Sequence, residues 1–236
     1  MPLVLTHRAS GGVSEPPYDC FNLATHVGDD AAAVAANRAE LGDALRGLGV
    51  RRMIWMSQVH GSQVAVVDSG DYPSDAATIV VQDTDGLVTA ERGVGLVVLV
   101  ADCVPIVLRD EAAGVVGVVH AGRRGAMAAI ATRAVESMAA VGARDISAHL
   151  GPSICGACYE VPEEMRDEVD AAVPGSACTT RAGKPGLDLA TGVTHQLELL
   201  GASVTRDPRC TMESEQLFSY RRDGATGRFA AVAWLD

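Results

Sequence analysis

Three residues in the sequence have side chains and positions suited to chemistry. His60 lies in SQVHGSQ, Cys103 in VADCVP and His120 in VVHAGRRG. Each lies within two residues of a glycine or proline near the predicted end of a strand, where backbone can approach a ligand. The three are too far apart in the sequence to form a local metal-binding motif, so their residue types are more informative than their spacing.

These three residues allow three interpretations. One cysteine and two histidines make a good zinc ligand set with the fourth position open, and such a site lowers the pKa of a bound water to about 7. Alternatively, Cys103 is a thiolate nucleophile and a histidine is its base. The third interpretation is structural, with a buried thiol and two histidines that bond to backbone carbonyls. Spacing alone leaves all three open and favours the structural one.

Two pairs of arginines could bind anions. Arg123 and Arg124 follow Gly122 at the predicted start of a helix. Backbone N–H groups and the helix dipole favour an anion there, and arginine adds bidentate phosphate binding. The dipole disfavours cations at that end of a helix, so the pair indicates either an anion site or a solvated first turn. Arg221 and Arg222, in SYRRDG, could bind anions or be solvated in the same way.

Cys155 and Cys158 form one C-x-x-C pair. A structural zinc site needs a second ligand pair, and none lies near it in the sequence; the βαβ context of a thioredoxin-like motif is also missing. Zinc nucleobase deaminases carry H-x-E and then P-C-x-x-C. Here Ala121 and Gly122 follow His120, and Pro152 is not adjacent to Cys155. We therefore expect no functional metal at this pair.

The elements that position these residues follow from hydrophobic patterns. Alternating or continuous apolar runs predict strands at 3–6, 53–57, 63–67, 85–89, 95–100, 104–109, 114–120, 146–150, 203–205, 217–221 and 228–234. Helical spacing predicts helices from Asp29 or Asp30 to Gly49, from about Met127 to Val141, after Pro162, and around Val193 up to Gly201. Residues 68–83 are predicted as loop and 219–228 as a hairpin.

A long loop precedes the first helix, over residues 9–30, and it is rich in Gly, Pro, Ser and Asp. A loop of this length in a compact domain is usually functional or disordered. Phe21, Leu23 and Val27 can anchor it, which favours a functional loop. His7 and His26 could then approach a site.

Composition limits the class of protein. The chain has 236 residues, 48% hydrophobic and 21% charged, which is typical of a globular protein. A net charge of −11 excludes nucleic acid as an expected partner. The apolar runs at 94–101 and 115–119 are far shorter than the ~18 residues of a membrane span. MPLVLTHRAS does not resemble a secretory signal, so we expect a cytoplasmic protein whose six cysteines are mostly thiols.

The predicted fold class is α+β, as a single domain over residues 1–236. Strands follow one another without a helix between each pair, which argues against a simple doubly wound sheet. No internal repeat or convincing linker divides the chain. The oligomeric state is not readable from the sequence.

The chain resembles the YfiH-like, laccase-domain family of multifunctional purine nucleoside enzymes, and the resemblance runs almost end to end. It rests on the joint order of many short motifs: R-x-S-GGVS and FNL-x-THVGDD (8–30), NR (37–38), Q-VHG (58–61), D-G-LVT (85–89), ADC-x-P (101–105), HAG-x-RG (120–125), LGPSI and CYEV (150–161), LDL (187–189) and FSYRRDG-x-TGR (218–228).

The resemblance implies a mixed α/β sandwich, similar to cysteine-hydrolase-like proteins, with His60, Cys103 and His120 as zinc ligands and catalytic residues. It implies phosphorolysis of adenosine, inosine, guanosine and methylthioadenosine, with deamination of adenosine to inosine. The expected partners are therefore small molecules, purine nucleosides and phosphate. The substrate-binding residues expected from it are Gln58, Asp102, Arg124 as the first candidate to hold phosphate, and Arg8 as the second. Asp102 and Tyr159 are candidates to protonate the purine.

Copper chemistry and one departure qualify this expectation. A multicopper oxidase needs several H-x-H pairs, and six histidines here form none. A single Cu²⁺ at the zinc ligands remains an alternative, because Cu²⁺ outcompetes Zn²⁺ at many such sites. The family pattern is HAGWRG, whereas this chain has Arg123 in place of the tryptophan, so phosphate affinity or nucleoside specificity should differ.

Two other functions remain open: a metal-independent amidohydrolase with Cys103 and His120, and a non-catalytic metal-binding module.

Overall fold

The fold is known from a computed structural model that describes residues 3–73 and 78–236. Its strands are β1 (Leu3–Leu5), β2 (Arg52–Met56), β3 (Val64–Val66), β4 (Ile79–Val81), β5 (Gly86–Thr89), β6 (Val94–Val100), β7 (Val104–Asp110), β8 (Val115–Ala121), β9 (Ser147–Leu150), β10 (Ala177–Thr179), β11 (Pro185–Leu187), β12 (Ser203–Arg206) and β13 (Phe229–Ala233). Its helices are α1 (Ala31–Arg46), α2 (Arg123–Met127), α3 (Ile130–Ala140), α4 (Glu163–Ala172), α5 (Leu189–Leu199) and α6 (Tyr220–Asp223), with a 3₁₀ turn at Ser69–Asp71.

Two mixed sheets lie face to face. The first has the strand order β1-β13-β6-β2-β4, and the second has the order β12-β9-β7-β8-β5-β3. Parallel pairs (β2 with β6 and β4, β3 with β5, β9 with β12) occur beside antiparallel ones. The consecutive strands β6, β7 and β8 need no helix between them, because β6 belongs to the first sheet and β7 pairs antiparallel with β8 in the second.

The core between the sheets explains the valine-rich runs. Every residue of β6 and β8 is buried, as expected for strands covered on both faces. Leu96, Val98 and Phe229 from the first sheet pack with Val107 and Val118 from the second. Burial of each such side chain contributes about 1.5–3 kcal/mol. With few aromatic residues available, aliphatic side chains build most of this layer.

Helices cover the two outer faces. On the first sheet, Leu41 and Leu45 of α1 pack against Trp55 and Trp234. On the second, α3 and α5 bury an apolar face that includes Met138. The result is an α-β-β-α arrangement, and the predicted mixed α/β sandwich is confirmed. Asp30 caps α1 by accepting hydrogen bonds from Ala32 N and Ala33 N at 2.8 and 2.9 Å.

A predicted helix, a predicted strand and a predicted hairpin differ from the structure. The helix predicted at 127–141 begins earlier and is broken, because Ala129 takes a left-handed backbone (φ 59°) between α2 and α3. The strand predicted at 217–221 and the hairpin at 219–228 are wrong. Ser219 instead caps α6 by accepting a hydrogen bond from Arg222 N, and Gly224 ends the helix at φ 70°.

Short strands escaped the sequence patterns. β4 lies inside the predicted loop 68–83 and pairs with β2 through only three residues. Residues 74–77 of that predicted loop lie outside the described residues. β10 and β11 form a small separate hairpin. Across residues 3–73 and 78–236, no helix combines the length and apolar character needed to cross a membrane.

The long loop before α1 is tied down by a buried side chain of that helix. Asn37 accepts a hydrogen bond from Val13 N and donates to Ser14 Oγ and to the carbonyl oxygens of Cys20 and Asn22. Arg8 donates to the Asp19 carbonyl and carboxylate, both at 2.8 Å. These bonds fix the loop and place its later part beside the cavity described below.

Candidate metal centre and cavity

The structure brings His60, Cys103 and His120 together. One ligand atom from each lies within 4.8 Å of the others. Cys103 Sγ is 3.8 Å from His60 Nε2, and the two imidazole rings meet edge to face with centroids 4.6 Å apart. His60 follows β2, Cys103 lies between β6 and β7, and His120 belongs to β8. Both sheets therefore contribute to the cluster.

Asp85 is hydrogen-bonded to both histidines, to the backbone of His60 and to the ring of His120. Its carboxylate is fully buried and accepts a hydrogen bond from His120 Nδ1 at 2.8 Å. It also accepts the backbone N–H groups of Val59, His60 and Gly61 at 3.2, 2.9 and 2.7 Å. Burial alone would raise the pKa of Asp85, but these hydrogen bonds lower it below its ordinary value. An ionised carboxylate thus fixes the His60 turn and the orientation of His120.

Cys103 and His120 favour an ion pair. Burial would raise the pKa of Cys103, but the neighbouring charge and hydrogen bonds of His120 and His60 lower it. Burial would lower the pKa of His120, but Cys103 and the hydrogen bond to Asp85 raise it. Without a metal the thiol therefore shifts toward thiolate and His120 toward imidazolium. The thiolate is also the form of cysteine that binds a metal.

The donor set fits a zinc ion. A thiolate and two imidazoles are ligands that zinc prefers, and three protein ligands leave a position for water or substrate. His120 uses Nδ1 for Asp85, which leaves Nε2 free to bind a metal. A carboxylate behind a metal-binding histidine is the arrangement that orients such ligands. Gly122 gives the cluster room, because a Cβ there would lie 2.7 Å from His60 Cδ2 and 3.1 Å from Cys103 Sγ.

The backbone is strained at His60 and next to Cys103. His60 has φ 58° and Asp102, next to Cys103, has φ 92°, both in the left-handed region that non-glycine residues rarely adopt. The Asp102 carboxylate accepts hydrogen bonds from Thr211 Oγ1 at 2.6 Å and from Arg221 N at 2.7 Å. Such strain persists where the surroundings hold it, and these bonds supply that support.

The cluster opens into a cavity of about 610 Å³. That volume is in the range of small-molecule sites. The residues that line it are His26, Gln58, His60, Leu99, Val100, Ala101, Asp102, Cys103, His120, Arg123, Ile154, Tyr159, Leu189, Tyr220, Arg221, Gly224 and Arg228.

Three arginines make the cavity wall cationic although the whole chain is acidic. They are Arg123, Arg221 and Arg228, and among the lining residues that the structure describes Asp102 carries the one carboxylate. Burial and the nearby charge of Arg228 lower the pKa of His26, which keeps that ring neutral. Arg221 lies over the Tyr159 ring at 5.0 Å. The wall thus combines anion-binding groups with aromatic surface.

The four expected substrate-binding residues separate into two groups. Gln58 and Asp102 line the cavity. The Gln58 side-chain amide is already bonded to the backbone of β6, donating to Leu99 O at 2.8 Å and accepting from Leu99 N at 2.9 Å. Gln58 therefore shapes the wall more than it offers a polar group to a ligand.

Arg8 and Arg124 do not line the cavity. Arg124 is exposed, and its neighbour Arg123 faces the cavity instead. Arg8 is held by Asp19 and lies 3.6 Å from Asp223, so its guanidinium serves the long loop. Arg8 was expected from the family resemblance alone. For Arg124 the sequence showed a pair of arginines but could not give the direction of each side chain.

Sequence reasoning missed Asp85, Arg228 and Tyr220. Asp85 lies directly before the buried strand β5, and no cation near it in the sequence could pair with a buried carboxylate there. That unpaired position could have indicated a functional role. Arg228 and Tyr220 fell within the segment interpreted as a hairpin. In the pair Arg221–Arg222, Arg221 lines the cavity. Arg222 instead donates to the carbonyl oxygens of Thr211, Ser214 and Leu217.

Comparison with known proteins gives one consistent result. Residues 3–236 match the family described as multi-copper polyphenol oxidoreductase laccase. A protein of Mycobacterium tuberculosis named purine nucleoside phosphorylase is 54% identical over 236 residues, covering 99% of this chain and 91% of that protein. One of the same name from Corynebacterium glutamicum is 48% identical, covering 98% and 93%.

Solved structures agree with these sequence matches. The hypothetical protein YfiH of Bacillus licheniformis has a TM-score of 0.86 and 30% identity, covering 98% of this chain and 91% of that one. YlmD of Geobacillus stearothermophilus has a TM-score of 0.85 and 35% identity, covering 99% and 92%. The YfiH type of sandwich expected from the sequence is therefore confirmed.

Proposed function

Because the chain belongs to the laccase-like YfiH family, and because its curated relatives are named purine nucleoside phosphorylases, we propose that it cleaves purine nucleosides with phosphate. The products are the free base and ribose 1-phosphate. The observation that supports this proposal most strongly is that the three arginines and the Cys/His cluster line the same cavity. Adenosine, inosine, guanosine and methylthioadenosine are the proposed substrates, and deamination of adenosine is proposed as a second activity.

Phosphate binding is assigned to the cavity arginines. Arg123 begins α2, whereas Arg221 and Arg228 both belong to the segment 219–228, and the three meet at the same wall. Guanidinium groups bind phosphate through charge-assisted, often bidentate, hydrogen bonds. A phosphate held there faces the same space as a nucleoside, so its oxygen can attack C1′ of the ribose as the glycosidic bond breaks. Holding both reactants in one cavity lowers the entropic part of the barrier.

The purine is assigned to the aromatic part of the wall. Tyr159 and Tyr220 both line the cavity and supply its aromatic surface. Burial and the neighbouring Cys103 raise the pKa of Tyr159, so its hydroxyl keeps its proton. That hydroxyl can donate a hydrogen bond to a purine nitrogen as negative charge develops on the leaving base. Asp102, whose oxygens are used by Thr211 and Arg221 N, fixes the wall rather than the base.

The metal proposed for the cluster is Zn²⁺, held by His60, Cys103 and His120, with Cu²⁺ as an alternative occupant. When bound, such an ion acts as a Lewis acid and lowers the pKa of a bound water, the chemistry that deamination of adenine requires. Asp85 keeps His120 in the tautomer whose Nε2 faces the cluster. Gly122 keeps the space beside His60 and Cys103 open.

A product assay tests the proposal. Protein of measured metal content is incubated with adenosine, with and without phosphate, and the products are separated by chromatography. Adenine and ribose 1-phosphate that form only with phosphate support the phosphorylase, and inosine in both reactions supports the deaminase. Zinc in the protein without turnover of any proposed nucleoside would contradict the proposal and leave the non-catalytic metal-binding module.

Arg123 supplies a sharper prediction. We expect Arg123→Gln to raise the KM for phosphate at least about tenfold, the effect of losing one charge-assisted contact of about 1.5–3 kcal/mol. Arg124→Gln should leave that KM unchanged, because Arg124 is exposed and lies off the cavity. The measurement is phosphate-dependent initial velocity. An effect of Arg124→Gln without one of Arg123→Gln would restore the assignment made from the sequence.

One observation favours a second function. Asp85, His120 and Cys103 form a carboxylate–imidazole–thiol series, the arrangement of a cysteine hydrolase. A metal-independent amidohydrolase would lose activity on alkylation of Cys103 and would be indifferent to a chelator. The proposed metal enzyme is inhibited by both treatments, so the chelator separates the two functions.

A further inference from the structure

A second cluster of metal-ligating side chains lies away from the cavity cluster. Cys155, Cys158, Cys210 and Glu213 each offer one ligand atom, and these atoms lie within 4.8 Å of one another. The sequence alone predicts no metal at Cys155 and Cys158, because no second ligand pair lies near them along the chain. The fold supplies that pair from more than 50 residues away. We propose that these four residues form a structural zinc site, called here the Cys₃Glu site.

The ligands come from two similar turns. Cys158 N donates to Cys155 O at 3.0 Å, and Glu213 N donates to Cys210 O at 3.2 Å. Each turn therefore places two ligands at positions i and i+3, the C-x-x-C spacing used by structural zinc sites. The second turn follows the same spacing as C-x-x-E. Thr211 N donates to Ser153 O at 3.1 Å, which joins the two turns beside the ligands.

The distances suit a tetrahedral ion. Zinc–sulfur bonds of about 2.3 Å place two thiolates about 3.8 Å apart across a tetrahedron. Cys158 Sγ is 3.6 Å from Glu213 Oε1. The remaining pairs lie within the 4.8 Å limit, so contraction by at most about 1.3 Å closes the site. Cys210 is buried, Cys155 and Cys158 are partly buried and Glu213 is exposed, so a metal can reach the site from solvent.

Neighbouring groups complement the charge of the ligands. Cys155 N donates to Cys210 Sγ at 3.3 Å, a backbone bond that supports a thiolate. The Arg181 guanidinium pairs with Glu213, which offsets part of the negative charge of three thiolates and a carboxylate. Such surrounding groups orient ligands and tune their affinity. Thiolate-rich sites of this kind select zinc over magnesium or calcium.

The proposed ion would join two segments that shape the cavity. Tyr159 directly follows Cys158, and Ile154 directly precedes Cys155; both line the cavity wall. Thr211 directly follows Cys210 and holds the Asp102 carboxylate. The Cys₃Glu site thus stabilises the wall without contacting a substrate. The inference does not depend on the nucleoside activity.

The test is the zinc content of the protein purified under reducing conditions and equilibrated with Zn²⁺. Cys158→Ser should lower the content by one equivalent per chain relative to the natural protein. Cys178→Ser is the matched control, because Cys178 is a nearby thiol outside the site that donates to Gly156 O. It should leave the content unchanged. The cavity cluster is present in all three proteins, so its occupancy cancels in the comparison.

A second variant guards against misfolding of Cys158→Ser. Glu213→Gln changes only an exposed side chain and keeps all three thiolates. It should weaken zinc binding at the Cys₃Glu site at least about tenfold in competition with a chromogenic chelator. Equal zinc content in the natural protein and Cys158→Ser would overturn the proposal. So would a disulfide among Cys155, Cys158 and Cys210 in zinc-equilibrated protein.

Discussion

His120→Ala is expected to lower the proposed phosphorolysis at least about 100-fold and to abolish metal binding by the cavity cluster. Loss of a residue that merely supports a metal ligand typically costs about 10–100-fold, so loss of the ligand itself should cost no less. The change also leaves the buried Asp85 carboxylate without its imidazole partner. Metal analysis and nucleoside turnover measure the two effects.

The controls for this variant use two other histidines. His60→Ala removes an exposed proposed ligand of the same cluster and should reproduce the loss with little effect on folding. His195→Ala removes an exposed histidine of α5 outside the cavity and should change neither quantity. Full activity of a folded, metal-free His120→Ala protein would reject the metal-based mechanism.

Asp85→Asn should reduce metal affinity about 10–100-fold and also destabilise the fold. The carboxylate accepts hydrogen bonds from three backbone N–H groups and from His120 Nδ1. Asparagine keeps one acceptor oxygen and adds donors that would face other donors. Leaving one buried group unsatisfied costs about 1–3 kcal/mol. Zinc titration and urea unfolding of the metal-free protein measure the two effects separately.

Asp110 offers a matched control for this variant. It is a buried carboxylate that accepts the backbone N–H groups of Ala113, Arg144 and Asp145, and it does not line the cavity. Asp110→Asn should destabilise the fold and leave metal affinity unchanged. Equal loss of metal affinity in both variants would show that Asp85 acts only through stability.

The sequence was informative wherever local pattern decides structure. The valine runs predicted β6 and β8 correctly, and the apolar stripe predicted α1, because burial on one or two faces dictates the residue types of these elements. Residues His60, Cys103 and His120 were found because each follows or ends a strand beside a glycine or proline. These residues come together only because the two sheets pack against each other, and their spacing in the sequence could not show that packing.

What escaped prediction depends on contacts between distant segments. The hairpin interpretation of 219–228 failed because Ser219 and the Arg222 bonds to Thr211, Ser214 and Leu217 favour a short helix. The direction of Arg123 and Arg124 depends on where α2 begins. The partner of Cys155 and Cys158 lies in a turn at Cys210–Glu213, beyond the reach of any local motif.

The role of Asp85 limits how this centre could change over evolution or in design. One carboxylate sets both the backbone of His60 and the ring of His120. The two histidines therefore cannot be repositioned one at a time, since a shift in either disturbs the support of the other. A redesign that seeks a chosen metal selectivity must rebuild residues 59–61, Asp85 and the end of β8 together.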